Sequence, residues 1–225
     1  MFETFEDSFI FYQPRDVVSG DFYWFKKLEN TFMVAAVDCT GHGVPGALMS
    51  MIGMTMLNGI DTNEVQNAGE ALNEIDAQVN LAFENSEVQS QDGMDLALLM
   101  INMEEKVIQF SGAQRPLFLI RGGELKEYKS TKTSIGGNYE GTKSFDYNNI
   151  LFKKGDCVYI FSDGYQYQFG GEKDKKFKVR KMKDLLIMIS GLPMKDQEKI
   201  IREELLAWKG ETEQTDDVLV IGIRL

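Results

Sequence analysis

Along the chain, apolar residues fall first into short runs with strand character and only then into longer stretches with helical spacing. "SFIFYQPR" (residues 8–15) and "GDFYWFKKLE" (20–29) are rich in aromatic and β-branched residues and predict strands, joined through "DVVS" to a third around "TFMVAAVD" (31–38). Two helices follow in the pattern. The first runs from about Pro45 to Asn58 and is rich in Met and Leu; the second, "AGEALNEIDAQVNLAFE", repeats apolar residues in steps of four at Ala71, Ile75, Val79 and Phe83. Strands return at "MDLALLMINM", "KVIQFSGA", "PLFLIRGG" and "ELKEY", and, beyond a polar loop near Gly136 and Gly137, at "SFDYNNILF" and "DCVYIFSDG". Two more helices fit "KVRKMKDLLIMIS" and "MKDQEKIIREELLAWKG", the latter stopped by Gly210, and "DDVLVIGIRL" closes the chain as a strand. Runs of strands joined by short turns imply mainly antiparallel pairing, and each pair of helices needs a sheet face to cover. The pattern predicts an α+β fold of two stacked, mainly antiparallel sheets flanked by helix pairs.

Composition narrows the classes of function. With 225 residues, 43% of them hydrophobic, the chain can build one large core, and residues 1–225 are expected to form a single domain. A formal net charge of -11 argues against nucleic acid or an anionic membrane surface as partner. A phosphorylated partner would need metal ions or a local basic patch to reverse the sign at its site. Cys39 and Cys157 form no C-x-x-C pair, so neither a zinc ribbon nor a disulfide framework is signalled and a cytoplasmic setting is expected. The start, "FETFEDSF", lacks the features of a signal peptide, and no apolar run approaches the ~18 residues of a membrane span.

The chemistry concentrates at strand ends. Asp21 in "SGDFYW", Asp38 in "VDCTGHG", Asp163 in "IFSDGY" and the pair Asp216 and Asp217 in "TDDVLVI" each stand beside Gly, Ser or Thr at the edge of an apolar run. Singly, each reads as ordinary turn chemistry. Brought together, such carboxylates could not all ionise without cations, and an all-oxygen set suits Mg²⁺ or Mn²⁺. Two such ions bridged by a carboxylate would lower the pKa of a shared water and aim hydroxide at a phosphoryl group, which is phosphate ester hydrolysis without a covalent intermediate.

Those stretches, "SGDFYW", "VDCTGHGVPGALMS", "MDLAL", "FSDGYQYQFGG" and "TDDVLVIGIRL", in this order over nearly the whole chain, resemble the catalytic domain of the stage II sporulation protein E family. These are bacterial serine phosphatases of the metal-dependent, protein phosphatase 2C-like superfamily. The resemblance implies an αββα sandwich with two Mn²⁺ or Mg²⁺ ions, and a catalytic set of Asp38, Asp21 and Asp163. Carried over by motif, Asp38 bridges the ions, Asp21 and the carbonyl of Cys39 serve one, and Asp163 and Asp216 the other. Asp95 in "MDLAL" is implied as an auxiliary or third-metal ligand, and Asp217 ranks below Asp216. Eukaryotic relatives carry a histidine two residues after the bridging aspartate; here that position is Thr40, and the one histidine is His42, an auxiliary candidate. Tyr167 stands where close relatives carry an acid.

The resemblance further implies a phosphorylated protein substrate, an anti-sigma-factor antagonist being one candidate. It also implies an upstream sensor, so that the chain would be the output domain of a larger signalling protein, with a parent that can be membrane-anchored. Met49, Met51, Met54 and Met56 read as adaptable core, or alternatively as the switch and homodimer contact that the family forms through residues 44–84. The basic run "KDKKFKVRKMK" (173–183) reads as a solvated loop and helix start, or as a receiver for an acidic phosphoprotein. A non-catalytic signalling and scaffolding module of the same fold is the alternative function, and a structural metal-binding domain a third.

Overall fold

The structure is a computed structural model, and it describes residues 5–62, 64–84, 92–137 and 143–225. Residues 1–4 of the N-terminal stretch and Asn63 within the 44–84 segment lie outside the described residues.

Two antiparallel sheets are stacked face to face. One is built from β2 (Asp21–Lys27), β3 (Thr31–Cys39), β4 (Gly93–Asn102), β5 (Val107–Ala113) and β9 (Tyr147–Leu151), in that order, with β8 (Ile135–Gly136) paired to β4. The other has the order β1 (Ser8–Gln13), β13 (Val218–Arg224), β10 (Cys157–Phe161), β6 (Leu117–Arg121), β7 (Glu124–Tyr128), so strands from opposite ends of the sequence lie side by side. Helices α1 (Gly43–Gly59) and α2 (Ala68–Glu84) cover the first sheet, and α4 (Val179–Ile189) and α5 (Met194–Lys209) cover the second. This is the four-layer αββα sandwich expected from the pattern.

The side-chain period of two explains why the central strands are apolar throughout. In β3, Val34 and Ala36 face the inter-sheet core with Ala97, Leu99, Ile160 and Ile221, while Ala35 and Val37 face α1 and α2. A strand buried on both faces has no position for a polar residue until it leaves the sandwich, and there Asp38 appears.

The single-turn α3 (Gly164–Tyr167) and the hairpin of β11 (Phe169–Gly170) with β12 (Lys175–Lys176) had no counterpart in the sequence pattern. Each is too short to show a period. The polar loop near Gly136 likewise contributes β8, which pairs Gly93 with Gly136.

Far from the carboxylate-bearing strand ends, Asp156 is buried and accepts from Arg121 Nε at 2.9 Å, Arg121 Nη2 at 2.6 Å and the Lys153 amide at 2.8 Å. Burial pushes its carboxyl up, but those donors outweigh burial and hold it below its ordinary value of 3.8. A carboxylate with a depressed folded-state pKa stabilises the fold above its unfolded value and loses that contribution as pH falls through the folded one. Asp156→Asn should therefore cost about 2 kcal/mol at pH 7, a charged hydrogen bond to a half-exposed partner. Thermal unfolding of the two proteins from pH 7 downward should show the gap holding to about pH 4 and closing below it.

Candidate metal centre

Three of the expected residues are neighbours across a sheet. In the register of β2, β3 and β4, Asp21 lies opposite Asp38 and Asp38 opposite Asp95, so one row of carboxylates crosses three adjacent strands. The other sheet ends at the same place. Asp163 follows β10 and Asp216 precedes β13, and these two strands are antiparallel partners, which puts the end of one beside the start of the other. The Asp163 amide donates to Asp38 Oδ2 at 3.3 Å, tying the second sheet to the bridging candidate of the first.

The turn after Asp38 owes its shape to glycine. Gly41 has φ +85°, and a Cβ on either Gly20 or Gly46 would strike the Gly41 carbonyl oxygen. The loop before β2, the turn after β3 and the start of α1 thus interlock through bare backbone, and Thr40 pins the turn by donating its hydroxyl to the Gly93 carbonyl at 3.0 Å. The Cys39 side chain points into the core beneath α1, where burial pushes its thiol pKa far up, leaving its backbone carbonyl as the group available for coordination.

At the centre stands a residue that motif reasoning passed over. Arg115 Nη2 lies 2.7 Å from Asp95 Oδ2, 2.7 Å from Asp163 Oδ2 and 3.1 Å from Asp38 Oδ2. It comes from the three-residue crossing between β5 and β6, which carries the chain from one sheet to the other, with Gln114 at φ 61° and Pro116 after it. The available signal was an arginine locked in a tight connection between two apolar strands. Ser134, whose hydroxyl donates to Asp95 Oδ1, was missed in the same way.

The remaining candidates separate by environment. Asp217 is buried with both oxygens taken, Oδ1 by the Arg15 amide at 2.7 Å and Oδ2 by the Gly20 amide at 2.8 Å. It stitches the start of β13 to the loop before β2. Asp216 stays part-exposed beside Asp163. His42 precedes α1 on the surface, half exposed, with Nδ1 3.1 Å from Asp16 Oδ2, and it lies near enough to Asp216 to oppose the rise of that carboxyl's pKa.

The electrostatics are those of crowded, dehydrated acids. Burial raises the pKa of Asp38, with Arg115 opposing and Asp163 and Asp95 adding to the rise; Asp21 is raised well above its ordinary range by burial and then by Asp38. Asp95 and Asp216 are raised in the same sense, again by burial first. Two unit charges 4 Å apart repel by about 4 kcal/mol at an effective dielectric constant of 20, so one guanidinium cannot offset this many carboxylates. Oδ2 of Asp21 is moreover buried with no hydrogen-bond partner among the described residues. An orphaned carboxylate oxygen in a set of hard oxygen donors fits a divalent ion. Among the described residues no three such side chains converge on a single point, and it is Arg115 that stands among Asp38, Asp95 and Asp163.

The fold recurs in solved structures. The SiaA-PP2C domain of Pseudomonas aeruginosa is 28% identical, with a TM-score of 0.89 over 98% of this chain and 86% of that one. The PP2C phosphatase domain of SpoIIE from Bacillus subtilis, solved with a fragment of its regulatory domain, is 19% identical with a TM-score of 0.77, covering 97% of this chain and 63% of that one. The RsbU and RsbW domains of Rv1364c from Mycobacterium tuberculosis match at 20% identity and a TM-score of 0.73, covering 96% and 59%. The architecture is therefore that of the PP2C-like phosphatases. The family model for stage II sporulation protein E matches residues 29–225, and the chain belongs to that family. No curated protein sequence matches it.

Replacing Arg115 tests the charge balance directly. Arg115→Gln should lower the Tm of chelator-treated protein, because it leaves the repulsion among Asp38, Asp95 and Asp163 unrelieved. Saturating Mn²⁺ should shrink that deficit, since either cation relieves the same repulsion. Differential scanning fluorimetry in EDTA and in Mn²⁺ reads both; an equal deficit in the two conditions would count against Arg115 as the balancing charge.

Proposed function

We propose that the chain is a divalent-metal-dependent protein serine/threonine phosphatase of bacterial signalling. The observation that carries this reading is the cross-strand row Asp21, Asp38, Asp95 abutting Asp163, with the buried Asp21 Oδ2 lacking a hydrogen-bond partner among the described residues. Asp21, Asp38 and the Cys39 carbonyl would hold one Mn²⁺ or Mg²⁺, and Asp38, Asp163 and Asp216 the second, with Asp95 auxiliary. Ions of this kind, when bound, lower the pKa of water and neutralise charge on a phosphoryl group. The chain's own contribution is placement. Asp38 is held by sheet register on one side and by the Asp163 amide on the other, and Arg115 brings a guanidinium into the same space, its Nη2 shared among Asp38, Asp95 and Asp163. Asp217 holds the loop that presents Asp21.

We read residues 1–225 as one catalytic unit, an assignment supported by the pairing of β1 with β13, and as the output domain of a larger signalling protein. A cytoplasmic setting is supported by two buried free cysteines, and among the described residues no helix is long and apolar enough to cross a membrane. The non-catalytic scaffold alternative has no observation in its favour, since it leaves buried, repelling carboxylates without purpose.

The purified chain should hydrolyse phosphoserine and phosphothreonine peptides in Mn²⁺ and not in EDTA. Asp38→Asn should reduce turnover to background, because an amide cannot bridge two cations as a carboxylate does. His42→Ala should cost less than about tenfold in kcat, well short of the roughly 10²–10⁴ that a general acid supplies. Full activity in folded Asp38→Asn would refute the assignment.

The partner reading concerns the first helix pair. Val44, Leu48, Met51 and Met54 are exposed along α1, whereas Met49 and Leu57 are buried beneath it, so the Met-rich helix is core on one face and bare on the other. We read the bare face as the homodimer contact within residues 44–84, from which a shift of α1 would reach Asp38 through the glycine turn. Leu48→Glu with Met51→Glu should convert a concentration-dependent dimer to a monomer in sedimentation equilibrium. A wild-type chain that stays monomeric throughout would sink this contact.

A further inference from the structure

The basic run between residues 173 and 183 gathers most of its cations around one groove. Lys173, Lys175, Lys176, Lys178, Arg180 and Lys181 line a groove of about 590 Å³ between the β11–β12 hairpin, the start of α4 and the end of α5. Its floor is aromatic. Phe177 and Trp208 meet edge to face at 5.4 Å, and Lys181 Nζ lies 3.5 Å from the Trp208 ring centre. Among the described residues none of the six cations has a carboxylate within ion-pair distance, although Glu172 and Asp184 also line the groove. In a chain of formal net charge -11, this is a local reversal of sign.

The groove is also fastened to the carboxylate centre. Gln168, fully buried, accepts the Thr215 amide at 3.0 Å through Oε1 and donates through Nε2 to the carbonyls of Phe169 and Glu213, each at 2.9 Å. Trp208 Nε1 donates to the Gln168 carbonyl at 3.1 Å. One buried amide thereby couples the base of the hairpin to the residue preceding Asp216, and α3 links the same hairpin to Asp163. Between them lies Tyr167, exposed, with Lys176 Nζ 4.0 Å from its ring centre. Tyr167 thus joins the basic groove to the strand end of Asp163.

We propose that this groove is a docking site for an acidic, Asp/Glu-rich segment of the phosphoprotein substrate, flanking the phosphorylated residue and carrying an apolar side chain for the Trp208 ring. The inference rests on the phosphatase reading for the identity of the partner. Cations without a carboxylate in ion-pair distance among the described residues, set around the half-buried Trp208, suit a short acidic peptide, with the cations giving attraction and orientation and the indole ring contact area. A long polyanion such as nucleic acid would run off this patch onto a surface dominated by carboxylates.

Binding is measured apart from catalysis. A fluorescein-labelled, unphosphorylated Glu-rich peptide with one Leu should bind the chain in fluorescence anisotropy, both in EDTA and in Mn²⁺, and weaken as salt rises. Lys175→Glu with Arg180→Glu should weaken it at least tenfold, Lys175→Ala with Arg180→Ala should weaken it less, and Lys153→Glu with Lys154→Glu, the same charge change elsewhere, should not. In the turnover arm, kcat/KM for a phosphoserine peptide with that acidic flank should exceed that of the unflanked peptide about tenfold, and the Lys175/Arg180 variants should erase the preference. Hydrolysis without flank preference, together with no peptide binding, would overturn the docking site and leave the phosphatase reading standing. Peptide binding without hydrolysis of any phosphoester, p-nitrophenyl phosphate included, would overturn the phosphatase reading. An oligonucleotide of matched charge that binds more tightly than the peptide would overturn the choice of partner.

Discussion

Carboxylates in facing positions of three neighbouring strands, withdrawn from water at the rim of a sandwich, set the constraint that the rest of this structure answers. Antiparallel register puts Asp21, Asp38 and Asp95 side by side, and burial raises the pKa of each. A site of that kind stays ionised only if positive charge is brought in. The chain supplies one guanidinium, Arg115, from the crossing between sheets, and hydrogen-bond donors in the Asp163 amide and Ser134. What remains unbalanced, the Asp21 oxygen above all, is the part that divalent ions of the family's kind would satisfy.

The two sheets contribute unequal halves. The first supplies the row of three, with Cys39 and the glycine turn attached to α1; the second supplies Asp163 and Asp216 on adjacent strand ends, stiffened by Gln168 and Thr215. Asp217 joins the halves by accepting amides from Arg15 and Gly20. A carboxylate that reads in sequence as a neighbour of a ligand is thus a structural clasp. The half that carries Asp38 ends in a helix with a bare apolar face, and the half that carries Asp163 and Asp216 ends in a basic groove.

The sequence by itself determined the layers and most of the carboxylates. Strands buried on both faces, such as β3, leave a continuous apolar record, helices a record with period near four, and an Asp at the end of such a strand beside glycine is visible because both neighbours constrain the backbone locally. Local signals of this kind also marked the turn at Gly41 and the stop at Gly210. Only the tertiary structure decided which of the acids share a site and which serve elsewhere, because that depends on register and sheet order. Arg115 meets Asp38 across 77 positions of sequence, and Asp217 meets Gly20 across 197. The contact of His42 with Asp16 is likewise one that only the fold makes, and the one-turn α3 and two-residue strands of the hairpin were too short to leave a period. Charge balance and burial are properties of the assembled end of the sandwich, and no stretch of chain carries them alone.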